Sequence, residues 1–295
     1  MWLFDMKTAA RYCALATLLL IAGCRLFPDK AVTKGSSPLR PLAASPDSVA
    51  LEIIWARFPL NDPELNGAVW SEIDETQIDP AVYRELARNG FRAGVISGTP
   101  PDAIARALQL KGDRAAAKAV DEDPMLQTID LTTEASVQRR LLQLRRGRRA
   151  EIQASEMLES VPLLISHNRE LGGRTFRDVQ AIYGLAIDPQ PHQRVALELT
   201  PELHYGQPRL RWTGGQEGIL RQMPLREREV FEAMRMNVRL APGEMFVLMG
   251  LPESASRLGQ CFHTVESASG RQQKLVLIRL AQVPTSDAFR SIAEQ

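Results

Sequence analysis

The sequence predicts an α+β protein in which a small αβ layer domain is followed by an antiparallel β-rich domain. Before residue 120, helix-start signals alternate with short apolar strand patterns; after residue 150, apolar and polar residues alternate between glycine and proline turns. The chain is 44% hydrophobic and 24% charged, which is typical of a globular protein.

The N-terminal segment has the layout of an export signal. Lys7 and Arg11 precede an apolar run over residues 12–21, which is followed by two small residues and Cys24. The run is much shorter than the ~20 residues that a helix needs to cross a bilayer, and the basic residues mark its cytoplasmic side. We therefore expect residues 1–23 to be a cleaved signal peptide.

The end of that segment resembles a known modification site. The sequence Ile21-Ala22-Gly23-Cys24 resembles the lipobox of bacterial lipoproteins. The resemblance implies that Cys24 receives a lipid such as palmitate and that the protein is anchored in the cell envelope. Arg25, in place of the aspartate that often retains lipoproteins in the inner membrane, favours the outer membrane, facing the periplasm. The alternative is an ordinary signal peptide with a chance cysteine.

Residues 24–47 are predicted to be the lipidated cysteine and a disordered tether. Four prolines lie among Ser, Gly, Ala and Lys, without sustained apolar periodicity. A chain of this composition extends by about 3 Å per residue where it is polyproline-like. The tether would hold a folded domain several nanometres from the membrane.

The first predicted domain, residues 48–120, begins with a strand and has a second strand at residues 91–97. The first strand has large apolar residues at period two, which gives it a buried face. These residues are Val49, Leu51, Ile53 and Trp55.

Three helices are predicted in this domain. Asp62-Pro63 and Asp79-Pro80 each place a capping side chain before a proline at the first helical position. Asn89-Gly90 supplies a left-handed stop for the second helix, and residues 99–102 start the third.

Residues 121–149 are predicted to be an arginine-rich helical connector. Six arginines lie within residues 139–149, next to apolar residues at 137, 141, 142 and 144. A solvated connector, a contact with an anionic surface and nucleic-acid binding are the possible interpretations. We favour the connector and expect no nucleic-acid partner. The formal net charge of +1 comes entirely from residues 1–23, so the exported part is neutral.

The β-rich domain is predicted over residues 150–285, followed by a C-terminal tail at 286–295. Pro201 and Pro208 predict that the segment after residue 200 is an edge strand or a loop. The turn at residues 241–243 is predicted to separate two strands. The predicted strands cover residues 150–155, 174–187, 193–200, 230–240, 244–249 and 274–281.

A second resemblance concerns this domain. Residues 195–202, 240–251, 258–262 and 273–280 resemble, in their order, the strand signals in the periplasmic part of the secretin domain of bacterial secretion channels. The chain has no amphipathic membrane-hairpin segments, so the resemblance implies a shared β scaffold rather than a channel. The whole exported chain is also similar to envelope lipoproteins without a known activity.

The search for chemistry assigns no catalytic, cofactor-binding or metal-binding residue. The sequence has no nucleotide-binding, zinc-protease or serine-hydrolase motif, and His167, His192, His204 and His263 do not have metal-ligand spacing. Cys261 is the single cysteine of the folded region and is expected to be a buried packing residue.

These observations favour a membrane-anchored envelope lipoprotein that is a non-enzymatic structural or protein-interaction module. Its expected partners are the membrane, through the lipid on Cys24, and an envelope protein; no small-molecule ligand is inferred. One alternative is a cell-wall-active hydrolase or transglycosylase in which the fold gathers Glu198, Glu202 and Glu244. The other is an accessory component of a secretin-type secretion system.

Overall fold

A computed structural model describes residues 48–108, 118–119, 127–132, 137–167, 169–214, 220–267 and 270–284. All of them belong to one compact unit, Ala44–Gln295. The predicted signal peptide 1–23, Cys24, the tether 24–47 and the tail 286–295 lie outside the described residues. Within the described part, no helix is both long enough and apolar enough to span a membrane.

Strands dominate the described residues, which confirms the prediction of a β-rich protein. The strands are β1 (Val49–Pro59), β2 (Phe91–Ile96), β3 (Lys118–Ala119), β4 (Gln127–Asp130), β5 (Val137–Leu144), β6 (Arg149–Gln153), β7 (Leu158–His167), β8 (Glu170–Gln190), β9 (Arg194–Gly214), β10 (Leu220–Val230), β11 (Met236–Leu240), β12 (Met245–Gly250), β13 (Thr264–Ser267) and β14 (Gly270–Gln282). The helices are α1 (Pro63–Asn66), α2 (Pro80–Arg88), α3 (Asp102–Ala107) and α4 (Leu258–His263), and short 3₁₀ turns lie at Ala68–Glu72, Glu75–Gln77 and Glu232–Met234.

The strands form two sheets. The first sheet has the order β2-β12-β14-β1-β5-β3, with β13 paired to β14. The second sheet has the order β10-β9-β8-β6-β4, with β11 paired to β9 and β7 paired to β8. Two pairs are parallel, β3 with β5 and β4 with β6, and the other described pairs are antiparallel.

The central strands of the first sheet, β1, β14 and β12, are buried on both faces. The predicted apolar face of β1 packs with inward-facing residues of the second sheet in one core cluster, which confirms the period-two prediction. The opposite face of β1, with Ile54, Ala56 and Phe58, packs in a second cluster with residues of α1 and α3. A sheet covered on both faces has nearly continuous apolar strands, as all six buried residues of β12 show.

The second sheet has one face in the core and one face toward solvent. On β11, Met236, Val238 and Leu240 are buried, and the residues between them are exposed. This alternation is the pattern of an antiparallel sheet with one wet face. The space between the two sheets is therefore the main core of the protein.

The predicted helix signals are confirmed. The Asp62 side chain accepts hydrogen bonds from the N–H groups of Glu64 and Leu65 at the start of α1. Asp79 caps α2 in the same way. Gly90 follows α2 with a φ of 83°, in the left-handed region that favours glycine.

The predicted division into one domain at 48–120 and another at 150–285 is wrong. β1 pairs with β14 and β2 pairs with β12, so strands from both predicted domains alternate within the first sheet. A domain boundary lies where few contacts cross it. Here the hydrogen bonds of one sheet join the two ranges.

The described residues of the predicted helical connector 121–149 form strands and a turn rather than a helix. Residues Val137–Leu144 form β5, between β1 and β3. β5 has apolar side chains on both faces of the sheet. The spacing of these residues along the chain therefore resembles that of an apolar helix face. Arg139 lies 3.6 Å from the carboxylate of Glu52, and Arg140 lies 5.8 Å from the ring centroid of Trp55. The arginines are therefore distributed among separate partners.

The segment predicted to be an edge strand or a loop after Pro201 is the continuation of β9, which runs to Gly214. It pairs with both β8 and β10 as far as His204, and beyond His204 β10 is its one described neighbour, so the edge prediction holds for that part. The Pro201 carbonyl accepts from the N–H of Phe231, on the side of β9 away from β8. On that side the neighbour of β9 changes from β11 to β10 at this position. The missing N–H of Pro201 therefore falls in a gap of the ladder and costs no strand hydrogen bond.

The turn at residues 241–243 connects strands of different sheets. β11 before it pairs with β9 in the second sheet, and β12 after it pairs with β2 and β14 in the first. The N–H of Gly243 donates to the carbonyl of Leu280. The predicted turn is present, and the two strands that it separates are not a hairpin.

Trypsin should cut the full chain at the exposed turn between β5 and β6, after Arg145, Arg146 or Arg148. The fragments should remain together, because β1 and β5 precede this turn while β12 and β14 follow it in the same sheet. We expect the nicked protein to elute as one species under native conditions and to separate only on a denaturing gel. A C-terminal fragment that leaves alone and keeps a β-type circular dichroism spectrum would contradict the shared sheet.

Candidate functional site

The three acidic candidates do not meet at one site. Glu198 and Glu202, both on β9, line one cavity on the solvent side of the second sheet. Glu244 lies in the turn between β11 and β12, where it accepts from the Ala241 N–H at 2.8 Å and from the Ser97 hydroxyl at 3.1 Å. Glu244 is not among the residues that line that cavity.

Glu202 is the buried centre of a charge cluster. Its carboxylate lies 2.5 Å from Arg149, 3.6 Å from Arg228 and 3.2 Å from Nε2 of His204. The Glu202 side chain is 4% exposed. Gly184 makes room for this cluster, since a Cβ there would lie 2.6 Å from Arg149 and 2.8 Å from Glu202.

The electrostatics of this cluster favour the ionised form of Glu202. Burial raises the pKa of Glu202. The hydrogen bond from His204 and the charges of Arg149 and Arg228 together lower it by more, so the pKa of Glu202 is below its usual value. A general acid needs the opposite shift. The cluster is thus suited to holding the strands together rather than to donating a proton.

A second region lies where β8 and β9 part. The pairing of the two long strands begins at the pair Gln190–Arg194, next to their connecting turn, and ends at the pair Gln180–His204. Just beyond, Asp178 has a φ of 49° and Gly206 a φ of 75°. Left-handed residues of this kind bend a strand out of its ladder. Arg226 occupies the fork, because it donates to the carbonyls of both Asp178 and Gly206.

We call the space between the parted strands the divergence groove. It has a volume of about 560 Å³. Its aromatic part is a Phe176–Tyr205 pair with ring centroids 5.2 Å apart, and the Arg174 guanidinium stacks on both rings at 4.4 and 5.1 Å. Its lining residues are Arg174, Thr175, Phe176, Arg177, Tyr205, Gly206, Gln207, Arg209 and Glu227.

Beyond the groove, β9 and β10 continue as a two-stranded ribbon. Leu210 faces Pro224 and Trp212 faces Gln222 across this ribbon. Leu210 is 69% exposed and Trp212 is 65% exposed, the two highest values among the exposed large apolar residues that the structure describes. Alternate residues of a strand share a face, so Leu210 and Trp212 form one apolar surface.

A third region is a cavity of about 390 Å³ at one end of the space between the two sheets. Lys274, on β14, forms part of its wall and is only 1% exposed. Its ammonium group donates to the backbone carbonyl of Ala154, which follows β6 in the second sheet. Burial and the nearby Arg57 lower the pKa of Lys274 to about 8.

Next to this cavity is a buried hydrogen-bond network. His263 Nδ1 lies 2.9 Å from the carbonyl of Lys274, and Nε2 lies 2.7 Å from the Tyr183 hydroxyl. Since a carbonyl only accepts, Nδ1 carries the proton and Tyr183 donates to Nε2. Burial lowers the pKa of His263 to about 3, so the ring is neutral. The network is satisfied internally, which is typical of a structural rather than a catalytic histidine.

Cys261 lies in the wall of the same cavity and is buried, as predicted. Burial raises the pKa of its thiol to about 12, with a partial opposing effect from Lys274. The thiol is therefore protonated at neutral pH, and the reactive thiolate is scarce. No group of three or more His, Cys, Asp or Glu side chains in the described ranges is arranged to hold a metal ion.

Sequence reasoning missed both the divergence groove and Lys274. The groove depends on left-handed residues inside strands, which have no clear sequence signal at Asp178. The burial of Lys274 could have been found from the sequence. Val276 and Ile278 share one apolar face of β14, and Lys274 lies two residues earlier on the same face, so the period of two places this lysine in the core.

The chain matches no protein-family model and no curated protein. The resemblances to lipoproteins and to the secretin domain therefore rest on the quoted sequence segments alone.

Replacing Glu202 with Gln should destabilise the protein by about 1–3 kcal/mol at pH 7, because Arg149 and Arg228 lose a charged acceptor. Folding lowers the pKa of Glu202, so the ionised carboxylate stabilises the folded state. This stabilisation is fully present above the unfolded pKa of about 4.5 and is lost as the pH falls through the lower folded pKa. Urea midpoints at pH 7 and pH 3 should show the difference between variant and wild type shrinking at pH 3.

Glu198→Gln is the matched control for this experiment. Glu198 is on the same strand, is 38% exposed and lies 3.6 Å from Arg235. An exposed pair of this kind contributes at most about 1 kcal/mol. Equal effects of the two variants at pH 7 would contradict the special role of Glu202.

Proposed function

We propose that this chain is a membrane-anchored lipoprotein of the bacterial envelope that acts as a non-enzymatic protein-interaction module. In this proposal a lipid on Cys24 holds the protein at the outer membrane, and residues 24–47 let the folded unit reach a partner in the periplasm. The lipobox residues 21–24 support the anchor. The partner is an envelope protein that contributes an extended segment.

The observation that carries the interaction role is the parting of β8 and β9. Beyond His204, β9 has β10 on one side and no described strand on the other. An unpaired strand edge is a template for a further strand, and native proteins usually protect such edges. Here the edge adjoins exposed Leu210 and Trp212, so backbone and side-chain contacts can act together.

The groove fits a peptide strand better than a flat protein surface. It lies between β8 and β9 beyond the end of their pairing, and Phe176, Tyr205 and Arg174 are among the residues that line it. Aromatic and arginine side chains are the residues that most often carry binding energy at interfaces. A two-stranded ribbon without further support is also only marginally stable in water, and a partner strand would stabilise it.

The α+β assignment is consistent with this role. The helices α1 and α3 cover the face of the first sheet that does not meet the second sheet. The second sheet, which carries the groove, keeps one face toward solvent. The hydrolase alternative has less support, because Glu202 is held ionised in ion pairs and Glu244 lies apart from it.

Replacing Cys24 with Ser should abolish lipid attachment, since the serine hydroxyl does not replace the cysteine thiol. Cells fed labelled palmitate should show no label on the variant and should accumulate the uncleaved precursor. A labelled, membrane-bound Cys24→Ser protein would contradict the lipoprotein proposal.

A photo-cross-linking amino acid at position 212 should capture a defined envelope protein in intact cells. The same amino acid at Leu171, which is 55% exposed on β8, is the matched control and should not capture it. Trp212→Ala should weaken the purified complex by tenfold or more, as expected for an interface aromatic. Equal capture from both positions, or an unchanged affinity, would contradict the ribbon as the docking surface.

A further inference from the structure

Two cations lie opposite each other at the end of the space between the sheets. Arg57 on β1 and Lys274 on β14 are direct cross-strand partners. Both belong to the strand faces that turn toward the second sheet, two residues beyond Trp55 and two residues before Val276. Like charges directly opposite each other destabilise a sheet. Lys274 is buried and Arg57 is partly buried, so an interaction with an anion would stabilise this pair of cations.

Among the described residues, the hydrogen-bond partners of these cations are neutral. Arg57 donates to the carbonyl of Thr132, and Lys274 donates to the carbonyl of Ala154. Nε of Arg57 is buried without a hydrogen-bond partner. No carboxylate among the described residues lies within ion-pair distance of either group. Asp130 and Glu156 act on Lys274 from farther away and do not offset the effects of burial and Arg57.

The cavity beside these cations has the size and lining of a small-molecule site. Its volume of about 390 Å³ is within the usual range of about 300–1,000 Å³. Lys274 is in the wall, and Thr132, whose carbonyl accepts from Arg57, is beside it. The other charged residues of the lining are two acids and two arginines, with Arg271 paired to Glu266 at 2.9 Å. They are Glu156, Arg257, Glu266 and Arg271. The apolar part of the lining is Leu158, Val161, Pro162, Leu163, Cys261 and Val265.

We propose that this cavity binds a small organic carboxylate, with the carboxylate group at Lys274 and an apolar body against Leu158, Val161 and Leu163. The ligand supplies a negative charge that the described residues do not place beside Lys274, and a charge-assisted hydrogen bond to an ammonium group is stronger than a neutral one. The apolar lining selects a carboxylate with a hydrocarbon part over inorganic phosphate. The carboxylate belongs either to a free acid or to the C-terminus of a peptide.

The test is calorimetric titration of the purified full chain with hexanoate, its neutral isostere hexanamide, inorganic phosphate, and the dipeptide acetyl-valyl-leucine as acid and as amide. We expect at least one carboxylate to bind at least about tenfold more tightly than its amide. Only the ionised carboxylate carries the negative charge that pairs with Lys274. Binding of hexanoate points to a free acid as the source; binding of the dipeptide acid alone points to a chain terminus.

Two variants locate the site. Lys274→Met keeps an unbranched side chain one atom shorter and removes the charge, and it should weaken carboxylate binding at least about tenfold. Gln260→Glu adds a negative charge to the cavity wall, where the Gln260 Oε1 accepts from the Ser256 N–H at 2.8 Å, and a carboxylate oxygen can keep that bond. Gln260→Glu should weaken carboxylate binding to a similar extent, by repulsion between like charges, while Lys274 stays in place. Arg239→Met, at an exposed position on β11, is the control and should bind as wild type does.

Several results would overturn the proposal. These are no carboxylate binding at millimolar concentration, equal binding of acid and amide, tighter binding of phosphate than of any carboxylate, or unchanged carboxylate affinity in folded Gln260→Glu. Circular dichroism of each variant establishes folding. If Lys274→Met does not fold, Gln260→Glu and the acid-to-amide comparison decide. None of these measurements depends on the lipid anchor or on the ribbon.

Discussion

The burial of both faces of β1 is the constraint on which the rest of the structure depends. β1 lies between β14 and β5, its odd-numbered residues face the second sheet, and Ile54, Ala56 and Phe58 face the helices. Each fully buried side chain of this size contributes about 1.5–3 kcal/mol. A strand with no wet face requires a layer on each side, so it needs both the helices that follow it and the second sheet far along the chain.

This requirement explains why the first sheet joins the two ends of the described chain. β14, near the C-terminal end, is the neighbour of β1, and β12 lies between β14 and β2. The turn at residues 241–243 takes the chain from the second sheet back to the first at this point. The folded unit therefore completes its core only when the last strands are in place.

The ends of the core are where the apolar pattern stops and polar groups enter. At one end, β1 and β14 carry Arg57 and Lys274 instead of apolar residues, and the cavity lies there. On the other side of the second sheet, Glu202 forms ion pairs with Arg149 and Arg228. The two arrangements differ in their partners: Glu202 has charged partners of opposite sign, whereas the partners described for Arg57 and Lys274 are backbone carbonyls.

The sequence by itself determined the local features: the caps at Asp62 and Asp79, the stop at Gly90 and the buried face of β1. Each depends on a few neighbouring residues and their backbone preferences, so the local pattern was sufficient. The tertiary structure decided the fate of the arginine-rich segment, the passage of β9 through Pro201, the divergence groove and the opposition of Arg57 and Lys274. These depend on which distant strand becomes the neighbour and in which register, and periodicity along the chain does not specify that pairing.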